Sequence, residues 1–119
     1  MGSTTVTALI GPDQDHLQEV EFLVDTGSLY TFVTPALAAR LAIQPTVTTT
    51  LRTADNRTVQ TMIAAGYMRL MGREGGILVG VMNVPIPLLG VISLEVLGLK
   101  VNPVDQVLEY ARPFGPMAL

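Results

Sequence analysis

The stretch Phe22-Leu23-Val24-Asp25-Thr26-Gly27-Ser28 places a carboxylate directly after three apolar residues. A carboxylate that enters a core is unfavourable unless it is paired or hydrogen-bonded. Gly27 allows a sharp backbone turn, which predicts that the amides of the turn point at the Asp25 carboxylate. The alternative interpretation is a strand that ends in an ordinary Asx-type turn, in which Asp and Gly are common. The tripeptide alone favours that alternative, so the choice depends on the rest of the sequence.

The composition predicts one folded domain. The chain has 119 residues, of which 49% are hydrophobic and 14% are charged. Domains most often contain roughly 100–150 residues, and an apolar content this high excludes a disordered chain. We therefore expect residues 1–119 to form a single domain. Residues 1–4 are expected to be a cloning remnant or a disordered end, and residues 112–119 an irregular tail.

Single residue types exclude several classes of protein. The chain has no cysteine and one histidine, His16, which removes thiol catalysis, disulfide frameworks and zinc sites of the Cys/His type. Its net charge of −3 argues against nucleic acid as a partner, because nucleic-acid binders usually present a basic face. The N-terminus shows no signal-peptide pattern, and a cytoplasmic location is therefore expected.

One uncharged run, residues 75–94, has the length of a membrane span. Pro85 and Pro87 lie within it, and two prolines so close together would break a helix. Buried strands explain the run better than a membrane helix does. No membrane partner is expected.

Turn residues divide the chain into short segments that read as strands. The predicted strands cover residues 5–10, 18–24, 47–53, 57–63, 66–71, 77–81 and 107–110. A helix over residues 36–41 is predicted to follow a capping Thr34 and a proline at the first helical position. A second helix over residues 93–97 is predicted to be capped by Ser93 and to end at Gly98. Many strands with one or two short helices predict an all-β fold built as a closed sheet or barrel.

With its flanks, the opening stretch resembles the active-site strand of the aspartic proteases, in which two hydrophobic residues precede Asp-Thr-Gly-Ser/Ala. Residues 85–90 and the helix after them resemble the hydrophobic-hydrophobic-Gly strand and helix that pack beside the catalytic loop in that family. Residues 97–103, followed by the last strand, resemble the tail of small retropepsin-like proteins of bacteria and archaea. The resemblance covers about residues 18–110 and implies a closed retropepsin-like β-barrel.

The number of catalytic triplets decides the mechanism that this resemblance implies. Pepsin-type chains carry two Asp-Thr/Ser-Gly triplets, whereas this chain carries one, at Asp25. Aspartic chemistry uses two carboxyls that share one proton, so the second carboxyl is expected from another copy in a homodimer. The implied activity is an endopeptidase that cleaves an extended peptide or protein substrate. Water is the nucleophile, so no metal and no organic cofactor are expected.

The resemblance also assigns roles to individual residues. Asp25, Thr26 and Gly27 form the catalytic set, with Thr26 expected to hydrogen-bond across the two-fold axis and Gly27 to contact the substrate backbone. A hairpin tip at residues 54–57 is expected to form the flap over the cleft. The residues expected to bind substrate are Ser28, Ala54, Asp55, Asn56, Ile86 and Leu88.

Two departures from the retroviral pattern bear on assembly. Leu29 and Val91 stand where retroviral members have an ion pair, so packing there is expected to be apolar. The tail contains Pro113 and Pro116 where retroviral chains interleave a terminal strand, and proline cannot donate to a central ladder. The N-terminal strand, residues 4–9, is therefore favoured over the tail as the dimer interface.

Three other interpretations remain beside the protease. The same fold can serve as a catalytically silent module for peptide binding or dimerisation, because fold does not determine function. A triad of Ser28, His16 and Asp25 is disfavoured because no nucleophile-elbow pattern surrounds the serine. A calcium site at Asp13, Asp15 and Glu19 is disfavoured because the EF-hand spacing is missing. In the last two cases a solvated loop explains the residues better.

Overall fold

The computed structural model describes residues 4–116, and strands predominate in it. In chain order its elements are β1 (Thr5–Gly11), β2 (Gln18–Val24), β3 (Thr31–Val33), α1 (Pro35–Arg40), β4 (Val47–Arg52), β5 (Thr58–Leu70), β6 (Arg73–Val81), β7 (Leu88–Leu89), α2 (Val91–Leu97), β8 (Leu99–Asn102) and β9 (Val107–Tyr110). The mostly-β class with two short helices is therefore confirmed. Within the described residues, neither helix is long and apolar enough to cross a membrane.

Seven of the strands form one sheet, in the order β1-β2-β7-β3-β6-β5-β4, and β1 also pairs with β5. The pairs β2–β7 and β3–β6 are parallel, whereas β1–β2, β4–β5 and β5–β6 are antiparallel. Strands β8 and β9 form a separate two-stranded sheet. The core draws its largest fully buried apolar side chains from most of these elements: Ile10, Phe22, Val33, Leu41, Met68, Val79, Leu89 and Leu97.

The prediction of two strands at residues 57–63 and 66–71 is wrong, because β5 runs unbroken through both. Gly66 does not end a strand there. A Cβ at this position would lie 3.0 Å from the Val79 side chain and 3.3 Å from the Gly11 carbonyl oxygen, so the glycine permits the close approach of three strands. The hairpin turn after β5 is also tighter than expected. It consists of Met71 and Gly72, both with positive φ, which is the backbone that a two-residue hairpin requires.

Two strands, β3 and β8, were not predicted, whereas β7 is the strand that the family resemblance implies within residues 85–90. Each is two to four residues long, and β3 and β7 exist by pairing with strands distant in sequence. Helix α1 follows the prediction, since the Thr34 hydroxyl accepts a hydrogen bond from the Leu37 amide at 3.2 Å. The predicted cap of α2 is wrong. Gly90 is the N-cap without a side-chain bond, and Ser93 instead lies buried inside the helix.

Gly80 in β6 marks the tightest packing between strands. A Cβ at this position would lie 2.3 Å from the ring of Phe32 in β3. The aromatic ring therefore occupies the space that any larger residue needs. Gly76 lies in the same strand, but a Cβ there would approach nothing closer than 3.9 Å.

These two glycines provide a matched test of the packing. Gly80→Ala is expected to lower the free energy of unfolding by about 1–3 kcal/mol, because the added methyl overpacks the site. Gly76→Ala is expected to leave it unchanged or raise it by up to about 1 kcal/mol, because alanine reduces the entropy of the unfolded chain. Urea unfolding of both variants and the parent measures the difference. Equal stability of the two variants would contradict the packing argument.

Candidate active site

Asp25 follows directly after β2 and is held by the backbone on both sides of that strand. The Asp25 amide donates to the Leu89 carbonyl of β7 at 3.0 Å. One residue earlier, the Val24 amide donates to the Thr4 carbonyl at 2.8 Å. Because both bonds join main-chain groups, strand pairing fixes the backbone that carries the Asp25 carboxylate.

The turn after Asp25 has the form that the sequence predicts. The Gly27 amide donates to Asp25 Oδ1 at 3.0 Å, and the Ser28 amide donates to the Asp25 carbonyl at 3.0 Å. The carboxylate is half-buried, and within residues 4–116 it accepts no other hydrogen bond from the protein. The second carboxylate oxygen is thus left for groups from outside this chain, such as a water or a second carboxyl.

The second motif, residues 85–90 with α2, packs against the loop that follows Asp25. The amides of Val91 and Ile92 donate to the carbonyls of Ser28 and Leu29 at 2.8 and 3.1 Å. Gly90 is required at the crossing, because a Cβ there would lie 2.2 Å from the Tyr30 carbonyl oxygen. The first turn of α2 therefore satisfies its free amides with the loop carbonyls and holds that loop in place.

A buried pair of hydroxyls joins the same two segments beneath the loop. Thr31 Oγ1 and Ser93 Oγ lie 2.6 Å apart, and the Gly90 amide donates to Thr31 Oγ1 at 3.2 Å. Both side chains are fully buried. This pair was not predicted, and its only local signal is a hydroxyl residue inside each of two otherwise apolar segments. The partnership itself spans 62 positions of sequence.

A cleft of about 510 Å³ lies between the loop at residues 25–30 and the β4–β5 hairpin. The loop forms its floor and the hairpin its roof. Its lining residues are Asp25, Gly27, Ser28, Leu29, Tyr30, Phe32, Thr50, Leu51, Arg52, Thr53, Ala54, Val59 and Met82. Most of these side chains are apolar or hydroxyl-bearing, and Asp25 is the one carboxylate among them.

The hairpin over the cleft ends in a three-residue turn, as expected for a flap. The Thr53 amide donates to the Arg57 carbonyl at 2.8 Å, and the Asn56 amide donates to the Thr53 carbonyl at 3.0 Å. Asn56 adopts the left-handed conformation, with φ of 66°, that this turn needs before the second strand. Arg57 and Asp55 form an exposed ion pair at 3.1 Å across the tip.

The structure brings some of the predicted site residues together in one chain. Asp25, Gly27, Ser28 and Ala54 line the cleft, whereas the other five do not: Thr26, Asp55, Asn56, Ile86 and Leu88. Thr26, Asp55 and Asn56 are exposed to solvent, and Ile86 and Leu88 are half-buried. Their roles in catalysis or substrate binding stay predictions. The cleft residues that were not predicted come largely from β4 and from the segment after Ser28.

The structure also places the residues of the disfavoured sites. His16 lies in the turn between β1 and β2, where its Nδ1 is 2.7 Å from Asp13 Oδ1, while the Ser28 hydroxyl donates to the Tyr30 carbonyl. The hydrogen bond to Asp13 raises the pKa of His16, and the same bond lowers the pKa of Asp13. Serine and histidine are therefore committed to different partners. In residues 4–116 no three His, Asp or Glu side chains form a metal-binding group.

Comparison with known proteins decides the family. The sequence profile of the aspartyl protease family matches residues 6–104. The chain belongs to the aspartyl protease family. The match includes the Asp25 loop, the flap hairpin and α2. Among proteins with curated descriptions, no sequence matches this one.

The fold of this aspartyl protease family member is that of a retropepsin. A solved structure, the EIAV protease complexed with the inhibitor HBY-793, superimposes with a TM-score of 0.67 at 23% sequence identity. The superposition covers 85% of this chain and 93% of the EIAV protease chain. The predicted resemblance to the retropepsins is therefore confirmed at the level of fold and family.

The buried hydroxyl pair is tested by a double-mutant cycle. Thr31→Val keeps the shape but leaves the Gly90 amide and the Ser93 hydroxyl without their partner, so it is expected to lower the free energy of unfolding by about 1–3 kcal/mol. Thr31→Val combined with Ser93→Ala is expected to cost less than the sum of the single changes, because the orphaned hydroxyl is then also removed. Urea unfolding measures the free energy of unfolding of the two single variants and of the double variant.

Thr48→Val, at an exposed position of β4, is the control. Its free energy of unfolding is expected to stay within about 0.5 kcal/mol of the parent value. Strict additivity of the two changes would contradict the coupling.

The single histidine allows a direct test of the β1–β2 turn. The pKa of His16 is expected above its ordinary value of 6.5, and Asp13→Asn is expected to lower it towards that value, because the hydrogen bond favours the protonated ring. A raised pKa in the folded state means that the bond stabilises the fold at low pH and that this contribution is lost as pH rises through the folded pKa. Proton NMR of the imidazole, titrated in parent and variant, measures the pKa. Identical titration curves would contradict the pairing.

Proposed function

We propose that this member of the aspartyl protease family is an aspartic endopeptidase and that its active unit is a homodimer. The observation that carries the proposal is the single Asp25 loop, held by main-chain bonds at the floor of a cleft beneath a hairpin. Each chain supplies one such carboxyl, whereas the chemistry requires two that share a proton. A two-fold arrangement of identical chains supplies the second one most simply.

In the proposed mechanism the two Asp25 carboxyls hold one proton between them. The ionised carboxylate accepts a proton from a water, whose oxygen attacks the carbonyl carbon of the scissile peptide. The protonated carboxyl donates its proton to the carbonyl oxygen, which gives a neutral tetrahedral diol. As the diol collapses, one of its hydroxyls gives its proton to the ionised carboxylate and becomes a carbonyl, the carbon–nitrogen bond breaks, and the protonated carboxyl gives its proton to the leaving amine. The dyad ends with one proton again, so no metal or organic cofactor takes part.

The substrate class follows from the shape and lining of the cleft. A peptide bound as an extended strand between floor and flap can hydrogen-bond to main-chain groups on both sides. Leu29, Tyr30, Phe32 and Leu51 give the cleft apolar walls, which favour apolar side chains near the scissile bond. We assign Ile86 and Leu88 to the substrate-binding cleft. We assign Thr26 to a hydrogen bond across the two-fold axis of the dimer. We also propose that the pairing of β1 with β5 closes the sheet into a barrel.

The decisive variant is Asp25→Asn, tested for cleavage of a denatured protein substrate. It is expected to lower the rate by about 10²–10⁴-fold, because an amide cannot exchange the proton of the dyad. Asp15→Asn, an exposed acid in the β1–β2 turn, is the matched control and is expected to cleave at the parent rate. Adding an excess of the Asp25→Asn protein to the parent is expected to lower the cleavage rate of the parent. Each mixed dimer would carry one catalytic carboxyl instead of two.

Three results would count against the proposal. Equal cleavage by the parent and Asp25→Asn would assign the activity to a contaminant. Constant specific activity on dilution of a sample that sediments as a monomer would place the second acid elsewhere in the chain. Peptide binding by the parent without any cleavage would favour the binding module.

A further inference from the structure

Helix α2 begins against the Asp25 loop, residues 25–30. Its first two amides donate to carbonyls of that loop at 2.8 and 3.1 Å, so the first turn of the helix holds the loop. The helix has only seven residues, about two turns, and a helix this short moves as a rigid unit. The contacts at the end of α2 therefore bear on the position of Asp25.

Two arginine side chains bind the carbonyls at the end of α2. Arg73 Nη1 donates to the Leu97 and Gly98 carbonyls at 3.0 and 3.3 Å. Arg112 Nη2 donates to the two carbonyls before those, at 3.1 and 3.2 Å. The last carbonyls of a helix lack partners inside it and carry partial negative charge, so the two guanidinium groups complement them in both respects.

The same two arginines tie the C-terminal segment, residues 111–115, to α2. Arg73 donates to the Arg112 and Phe114 carbonyls at 2.7 and 2.8 Å, and its guanidinium lies 4.2 Å from the centre of the Tyr110 ring. Arg112 donates to a carbonyl three residues further along the chain, at 2.8 Å. We call the two arginines and these bonds the arginine clamp.

The charges of the clamp are not balanced by acidic side chains. Within residues 4–116, none of the ion pairs contains Arg73 or Arg112. Both side chains are half-buried, and a charged group that leaves water needs compensating hydrogen bonds. Main-chain carbonyls provide those bonds here, so the contacts with α2 and with the C-terminal segment are what hold the two cations.

Gly98 lies where the two arginines meet. A Cβ at this position would lie 2.7 Å from Arg73 Nη1, 2.7 Å from the Phe114 carbonyl oxygen and 3.0 Å from Arg112 Cζ. The residue also has a φ of 69°, the left-handed conformation that favours glycine at the end of a helix. The missing side chain therefore gives both guanidinium groups access to the helix carbonyls.

We propose that Arg73 and Arg112 are positioning residues for Asp25, which they place through α2 and the bonds of its first turn. Among residues 4–116, the lining of the cleft includes neither arginine, so neither one contacts the substrate. The inference rests on the proposed function, because the position of the loop affects cleavage only if Asp25 is catalytic. A displacement of about 1 Å at a reacting group can lower a rate about 100-fold, so a small movement of α2 is enough.

Amide hydrogen exchange, followed by NMR, tests the coupling without reference to activity. Arg73→Gln and Arg112→Gln each release one end of α2. Each is expected to speed exchange of the first two amides of the helix at least about ten-fold relative to the ladder amides of β1–β2, because local opening is detected at the amides that it exposes.

Two control variants separate positioning from other effects. Arg69→Gln removes an arginine of the same β5–β6 hairpin that pairs with Glu74, so its exchange ratio is expected to match the parent. Ile43→Ala removes a buried side chain outside α2 and the Asp25 loop, which lowers the stability of the whole fold. It is expected to speed both sets of amides alike.

The rate of cleavage measures the catalytic consequence. Temperature and concentration are chosen so that thermal unfolding and sedimentation show every variant folded and assembled as the parent is. The two clamp variants are expected to lower kcat at least about ten-fold, whereas both controls are expected to stay within about two-fold of the parent. Arg73→Lys keeps the charge without the planar fork and is expected to recover only part of the lost rate.

The pH profile of kcat gives a readout that a general loss of stability would not change. Carboxyls held farther apart share a proton less tightly, so the bell-shaped profile is expected to narrow in the clamp variants. In Ile43→Ala the profile is expected to keep its width.

The outcomes separate this inference from the proposed function. Unchanged exchange at the first turn of α2 in both clamp variants overturns the inference, whether or not the parent cleaves. Faster exchange there with cleavage at the parent rate also overturns it, because Asp25 would then not depend on the clamp. A parent that cleaves nothing overturns the proposed function and with it the catalytic role of the clamp, while exchange still decides whether the clamp holds the loop. Faster exchange together with slower cleavage supports both.

Discussion

The fold depends on one close crossing, in which residues 89–91 pass directly beneath the loop at residues 25–30. The Asp25 amide bonds to the Leu89 carbonyl, and the Val91 amide bonds back to the Ser28 carbonyl. These two bonds run in opposite directions between the same pair of segments, so neither segment can shift without breaking both. Gly90 makes the crossing possible because its backbone lies where no side chain fits.

Several other features of the protein follow from that crossing. Strand β3 enters the sheet between β7 and β6 because the loop after Asp25 is held against α2. The ring of Phe32 in β3 then packs against β6 at position 80, where only glycine leaves enough space for it. The buried Thr31–Ser93 hydroxyl pair satisfies the polar groups that this arrangement removes from water. In the proposed mechanism, a carboxylate placed by such a network needs little reorganisation when it reacts, which is the property that electrostatic catalysis requires.

The arrangement also leaves Asp25 available to the second carboxyl that the proposed mechanism requires. Asp25 is half-buried and holds one hydrogen bond from Gly27, while its other oxygen stays open to the cleft. In the proposed dimer, two carboxyls come together only when two chains associate, and they do so by sharing one proton.

The sequence by itself determined the features that depend on neighbouring residues. These are the mostly-β class, the Asp25 turn with its Gly27 amide, the capped helix α1, the hairpin tip at residues 54–57, and the count of one Asp-Thr-Gly triplet per chain. Each follows from local backbone conformation or from composition. The family resemblance came from two such local motifs read in order.

Only the tertiary structure decided the features in which distant residues meet. The short strand β3 has too few residues to show a pattern, and pairing with β6 and β7, which are distant in sequence, is what makes it a strand. Ser93 reads as a helix cap from its neighbours, yet it lies in the core because Thr31, 62 positions away, offers a buried partner. The sequence predicts that a strand is interrupted before Gly66, whereas in the structure the missing side chain of Gly66 leaves room for the side chain of Val79. In every case a contact across the fold outweighed the local preference, because burial and hydrogen-bond satisfaction act on whatever groups the topology brings together.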